Sequence, residues 1–443
     1  MQPSPRSVGS WAFPAYVLIA CLASLALSRV HPWPGPGSPI GPSAPYAYGP
    51  FVALAFIPYG LVARSWLRTG APSARSWWTG ALLVGLVFIV APPVQSHDVF
   101  QYVAYGRMQQ MHEANPYLVA PSAFPGDPVT RLLGWPNAKS VYGPAWIVPV
   151  TAIVTLADGS IRIAAVLVKA FAWALVLATG WAIERSIGGA AEARGRVAAF
   201  LFVCNPLVLA SEALGGHADA SIALAFALAV LADRRGRERW AALALSIAVL
   251  VKIWAVLPFG VYVLWRVRRE GPRALPGLLI GPAALAAVSY SPFWKGPRTL
   301  APILDAGFRT SSSFAGAVQA ALDRSLRVTG WVSRPEAFAA ASVRVAAVAM
   351  LAALAAWLVL RERTDTDVWT PVALIVAGFM LATPWYLPWY AVGPLALGLC
   401  LGGGPSAGAL ALTCTSSLSI PFAAGGAILR SGAPTLAWRV RRR

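Results

Sequence analysis

The stretch Ser96-His97-Asp98-Val99-Phe100-Gln101-Tyr102-Val103-Ala104-Tyr105-Gly106-Arg107 places a carboxylate directly after an apolar run. A carboxylate there is costly unless it is solvated or used. On a helix, Asp98, Tyr102 and Tyr105 stand at i, i+4 and i+7 and share one face, with Arg107 on another part of the turn. The spacing predicts an amphipathic helix at the membrane surface that turns a carboxylate and two phenols toward a cleft. An interfacial aromatic belt is the plainer account of the tyrosines. The stretch continues to Asn115-Pro116-Tyr117.

Three further clusters could do chemistry with it. Glu212 is followed by Gly215-Gly216-His217-Ala218-Asp219, three ionisable side chains within eight positions. The glycines let backbone approach a ligand closely. His217 and Asp219 suit a sugar hydroxyl, a metal beside a diphosphate, or each other; His-x-Asp alone is a weak metal signal, so no metal ligand is assigned. Lys252 lies mid-run in Val251-Lys252-Ile253-Trp254, too central to snorkel unless the run is broken there, and a cation at the outer membrane level suits a phosphate. Thr383-Pro384-Trp385-Tyr386-Leu387-Pro388-Trp389-Tyr390 fits an aromatic belt or a platform for a sugar ring or prenyl chain. Tyr142-Gly143-Pro144 marks a sharp helix start.

The elements that must position these groups are membrane helices. Of 443 residues 57% are hydrophobic and 12% charged, about half the charge of a soluble protein. Apolar runs fall at 12–28, 49–66, 77–93, 141–157, 162–183, 197–214, 219–232, 240–266, 274–292, 341–360, 368–383, 386–403 and 405–427. A bilayer core takes about 20 helical residues, so the pattern predicts an all-α polytopic membrane protein. The first run has no clean cleavage site and reads as a transmembrane helix, not a removed signal peptide. Cys21, Cys204, Cys400 and Cys414 all lie in apolar stretches and read as small buried hydrophobes.

The net charge of +19 would suggest nucleic acid in a soluble protein, but here it sits in short loops and reads as topology. The basic linkers 64–75, 185–196, 234–239 and 266–273 and the tail 439–443 are assigned to the cytoplasm, and the Pro- and Gly-rich loop 29–48 to the outside. Residues 94–140 are then external, as is the loop 293–340. Two conflicts follow. An odd number of crossings must separate 94–140 from 184–196, which makes 141–157 re-entrant or surface-lying. The run 240–266 is basic at both ends, so two passes meeting near Lys252 are preferred to one long helix, and Lys252 comes to the side of Asp98.

In this order the pieces resemble the GT-C superfamily of polyprenol-phosphate-sugar-dependent glycosyltransferases, most of all the actinobacterial α-(1→6)-mannopyranosyltransferases. The matching stretches are Ser96-His97-Asp98-Val99 with Tyr105-Gly106-Arg107, Asn115-Pro116-Tyr117, Tyr142-Gly143-Pro144, Asn205-Pro206-Leu207 with Gly216-His217-Ala218-Asp219, Lys252 with Pro258, and Pro384-Trp385-Tyr386. The resemblance implies a GT-C-type fold of about 12–14 transmembrane helices in one membrane domain over 1–443: two N-terminal helices (1–76), a catalytic module (77–300) and C-terminal helices (301–443). It implies a bacterial plasma-membrane enzyme with an extracytoplasmic site. Asp98 would deprotonate an acceptor hydroxyl of a lipid-linked glycan. A polyprenyl-phosphate sugar, with mannose as the sugar, would be the donor, and inversion of a β-linked donor gives an α product. Lys252, Arg107 and His217 would meet the donor phosphate. His97, Tyr102, Tyr105, Asn115, Tyr117, Tyr142, Glu212, Asp219, Trp385 and Tyr386 would shape the substrate pocket. No cofactor and no protein partner are indicated. The alternative reading is a transporter or flippase, whose ionisable residues sit on broken helices with repeat symmetry; Lys252 fits that reading, whereas the one-sided clustering of charge and the lack of a repeat do not.

Overall fold

A computed structural model describes residues 5–30, 33, 44–69, 73–94, 96–187, 192–305, 313–360 and 367–431. The basic tail 439–443 and most of the loop 29–48 lie outside the described residues. The chain is helical throughout what is described, with no strand among those residues. In order the helices are α1 (Pro5–Val30), α2 (Ala44–Thr69), α3 (Ala74–Val90), α4 (Asp98–His112), α5 (Pro144–Leu156), α6 (Ile161–Ile187) and α7 (Glu192–Val203). Next comes α8 (Pro206–Val208), which runs into a π-helical turn (Leu209–Leu214). There follow α9 (Asp219–Asp233), α10 (Glu238–Val251), α11 (Val256–Glu270), α12 (Leu275–Tyr290) and α13 (Ala301–Asp305). The last are α14 (Phe314–Thr329), α15 (Pro335–Leu360), α16 (Trp369–Ala382), α17 (Val392–Leu401) and α18 (Gly403–Ser431).

Of the twelve to fourteen membrane helices expected, three among the described residues are long and apolar enough to cross a bilayer unaided: Ile161–Ile187, Pro272–Tyr290 and Pro335–Leu360. The pair Ala193–Val203 and Pro206–Leu214, bent by 44°, makes a fourth if it is one span. Some of the other apolar runs are cut within their length, as at Asn205-Pro206 and Lys252. At Asn205-Pro206 the Asn205 side chain accepts from the Leu207 N–H at 3.0 Å and Pro206 takes the first helical position, so a new helix starts in mid-run.

The broken elements surround one buried centre. α9 is rich in small residues (Ala220, Ala223, Ala227 and Ala229 are fully buried), so α6, α10 and α17 pack closely on it. α4 packs against α5 and α6. The run 240–266 breaks at Lys252, which has extended backbone between α10 and α11, in line with the charge argument. Residues 141–157 form α5, whose 13 residues reach only about 20 Å at 1.5 Å each, short of a bilayer core. One expectation is corrected. α4 is not an amphipathic surface helix: Asp98 to Met108 are all buried, because α5, α6 and the loop 113–143 cover its polar face.

Candidate active site

Asp98 opens α4, where a negative charge complements the helix macrodipole, and its N–H donates to Ser96 Oγ at 3.0 Å. Two groups reach its carboxylate. The Tyr142 hydroxyl donates to Oδ2 at 3.3 Å, and His217 Nε2 lies 3.8 Å from the same oxygen. Burial, with the Asp98 charge beside it, holds the Tyr142 phenol well above its ordinary range, so it stays a donor.

Tyr142 comes from a different part of the chain, and Gly143 brings it in. The Gly143 N–H donates to the Val251 carbonyl at 3.0 Å, and a Cβ on Gly143 would collide with the Leu250 carbonyl oxygen. Only glycine lets the start of α5 lie on the end of α10. That contact sets Tyr142 beside Lys252, whose Nζ lies 5.6 Å from the Tyr142 ring centroid.

Lys252 Nζ donates to Asp219 Oδ2 at 2.7 Å and sits 4.1 Å from the Tyr390 ring centroid. Glu212, from the π-helical turn, accepts from the Ala220 N–H through Oε2 at 3.2 Å. His217 is fixed on two sides: Nδ1 lies 2.7 Å from the Ser211 carbonyl, and the ring stacks on Trp389 at 4.0 Å between centroids and 21° between planes. A carbonyl can only accept, so Nδ1 carries the hydrogen and Nε2 of the neutral ring is bare. Burial pushes this imidazole below its ordinary range, against the opposing pull of Asp98. Glu212 Oε1, Ser211 Oγ, His217 Nε2 and both amide atoms of Gln101, one turn beyond Asp98, are buried with no protein partner. Gly216 has φ +67°, and a Cβ there would press at 3.0 Å on the Lys169 side chain, so the turn that presents His217 needs glycine.

Seven sequence-predicted residues thus meet around Asp98: Tyr102, Tyr142, Glu212, His217, Asp219, Lys252 and Asp98 itself. Tyr102 enters through its ring, edge-on to Tyr142 at 4.9 Å. The others are placed differently. Arg107, expected at a phosphate, donates to Asp127 in the loop after α4 at 3.0 Å and to the Gly159 carbonyl in the α5–α6 turn at 2.8 Å, which commits it to those two partners. Tyr105 donates to the Ala138 carbonyl at 3.0 Å in the loop after α4. Asn115 caps its own turn through the Tyr117 N–H (3.0 Å) and donates to the Phe293 carbonyl at 2.7 Å. Tyr117 packs on Phe293 and Tyr290. His97 Nδ1 meets the Leu132 carbonyl at 3.1 Å. These residues tie the loop 113–143 down, and none of them hydrogen-bonds the Asp98 carboxylate. Trp385 packs on Trp135 at 5.9 Å, while Tyr386 bonds Ser416 at 2.6 Å.

Sequence reasoning missed Trp389 and Tyr390 as site residues, although it marked their segment. The signal was Pro388, which starts a helical turn and swings the next two rings inward. Gln101 was also missed; its i+3 spacing from Asp98 was the available clue. Among the described residues no group of three or more His, Cys, Asp or Glu could hold a metal ion.

Fold and site together define a helical protein, with membrane-length helices, closed around a buried carboxylate, imidazole and ammonium. The chain belongs to the family described as alpha-(1->6)-mannopyranosyltransferase, N-terminal domain, whose model matches residues 10–268, more than half its length. All the polar residues of the centre fall inside the match; Trp389 and Tyr390 lie beyond it. The chain is 25% identical over 348 residues to alpha-(1->6)-mannopyranosyltransferase A of Mycobacterium tuberculosis, a match covering 72% of this chain and 63% of that relative. It therefore spans less than two thirds of the relative's length. No solved structure gives a significant match.

Proposed function

We propose that this chain is an inverting glycosyltransferase that moves mannose from a polyprenyl-phosphate donor to a hydroxyl of a lipid-linked glycan. The transfer takes place at the extracytoplasmic face of a bacterial plasma membrane, in one multi-pass domain of GT-C type. The observation that carries this reading is the convergence on Asp98 of Tyr142, His217, Lys252 and Asp219 from separate elements, all within the family match.

Asp98 acts as general base. An alcohol is a weak nucleophile at neutral pH, and a positioned carboxylate that removes its proton contributes about 10²–10⁴-fold. The hydroxyl oxygen bonds to the anomeric carbon as the bond to the phosphate oxygen breaks, and the electron pair leaves with polyprenyl phosphate. One carboxylate suffices for a single in-line displacement, unlike the pair that hydrolyses glycosides. Lys252 stabilises the departing phosphate. Asp219 uses one of its three N–H donors, which leaves two for the leaving group. The Tyr390 and Trp389 rings give the sugar an apolar wall. Chemistry on a lipid-anchored donor also accounts for a site built among helix ends, since the donor phosphate stays near the interface.

The test uses membranes carrying the protein and labelled polyprenyl-phosphate mannose. Asp98→Asn is expected to lower transfer by about 10²–10⁴-fold with the protein still folded. Undiminished transfer by that variant rules out the base. Solute accumulation in sealed vesicles, without transfer, decides for the transporter reading that the helix break at Lys252 also suits.

A further inference from the structure

His217 is built into the centre too firmly for a residue that only touches a ligand. The Ser211 carbonyl holds Nδ1–H at 2.7 Å, Trp389 covers one ring face at 4.0 Å, and the side chain is 0% exposed. Its tautomer and direction are therefore both fixed. Nε2, without a hydrogen, points to within 3.8 Å of Asp98 Oδ2. Two acceptor atoms set face to face gain nothing from each other until a proton lies between them. The general-base reading supplies that proton: a carboxylate that has just taken one from an alcohol becomes an O–H donor beside a bare imidazole nitrogen.

We propose that Asp98 and His217 form one proton-accepting pair, in which His217 Nε2 takes a hydrogen bond from, and shares, the proton that Asp98 removes from the acceptor hydroxyl. The inference rests on the glycosyltransfer reading and deepens it. The step balances: the acceptor O–H breaks, its proton goes to Asp98 Oδ2 and is held against His217 Nε2, and the electron pair of the breaking sugar–phosphate bond leaves on the phosphate. When products depart, the proton passes to the departing phosphate or to water. His217 acts through Asp98 and is a positioning residue, not a ligand of the donor phosphate. The charged and titratable groups that act on it are Asp98 of α4, Asp219 at the start of α9, and Lys252 at the α10–α11 break. Asp219 and Lys252 neutralise each other, which leaves Asp98 as the partner that His217 senses.

Two measurements test the pair. In the transfer assay, His217→Gln is expected to lower kcat by about tenfold or more with the donor KM little changed. The acid limb of its pH–rate profile is expected to move, because one partner of the proton-accepting pair is gone. An unmoved limb, or a raised KM at unchanged kcat, overturns the proposal and returns His217 to donor binding. The second measurement needs no activity. The chain has four histidines, so ¹⁵N-histidine spectra of the purified protein in nanodiscs can be assigned by single substitutions. His217 is expected as the Nδ1–H tautomer, and Asp98→Asn is expected to lower its titration. An Nε2–H tautomer, or a titration indifferent to Asp98→Asn, overturns the pair. If the wild-type membranes transfer no sugar from any polyprenyl-phosphate donor, the glycosyltransfer reading fails while the spectra still decide whether the pair exists.

Discussion

Lys252 balances a site otherwise dominated by carboxylates, with Asp219 at 2.7 Å and Asp98 and Glu212 close by. Removing the cation leaves Asp219 buried without its partner. Breaking a buried pair from one side costs about 3–5 kcal/mol, more than the pair itself contributes. Lys252→Met is therefore expected to lower the thermal midpoint in detergent, while the double variant Lys252→Met/Asp219→Leu recovers most of it; equal midpoints for the two would show that the pair is not the cause. The positions of Asp98, His217, Asp219 and Lys252 in one cluster were legible in the sequence because an ionisable group at the end or in the middle of an apolar run has few inexpensive explanations. Those of Arg107, Asn115 and Trp385 were not. Each has a residue type that suits a substrate pocket, and each found a partner that spacing does not reveal: Asp127 twenty positions on, the Phe293 carbonyl from another loop, and the Trp135 ring.

At the scale of elements, one carboxylate with three donors, Asp127, anchors the middle of the loop between α4 and α5. Burial alone would raise the Asp127 carboxyl, but hydrogen bonds from Arg107, the Val129 N–H and His112 outweigh it and hold the group below its ordinary range. A depressed folded-state value means stability that is present above the ordinary carboxylate range and lost as pH falls through the lowered one. The loop is thus expected to stay ordered at mildly acidic pH and to open only in stronger acid, read as the onset of fast hydrogen exchange at the Val129 amide. Asp127→Asn is expected to show fast exchange there already at neutral pH; slow exchange in that variant would locate the anchor elsewhere. The break at Lys252 was legible from charge bookkeeping, since one helix cannot have both ends on the same side. The burial of α4 was not, because residue spacing identifies a polar face without saying what covers it. In the covering loop the Ala138 carbonyl accepts from Tyr105 and Asp127 from the Val129 amide, and backbone groups leave no mark in side-chain pattern.

At the scale of the molecule, the direction of the site across the membrane rests on where the arginines lie. The positive-inside expectation puts the basic stretches 234–239 and 266–273 on one side and the loop 113–143 with Asp98 on the other. His217 and Lys252 themselves are too buried to report a side by chemical labelling. Two exposed residues can do so: Asn137 in the loop 113–143 and Arg235 in the basic turn after α9. Cys204 and Cys400 are buried, so a background with the exposed Cys414 replaced by serine leaves Cys21 as the remaining native thiol to control for. In that background Asn137→Cys is expected to react with a membrane-impermeant maleimide on intact cells, and Arg235→Cys only after permeabilisation. On the proposed function, the same labelling fixes which leaflet would supply the lipid-linked donor. The reverse pattern would place the centre on the cytoplasmic face and require a donor presented from inside.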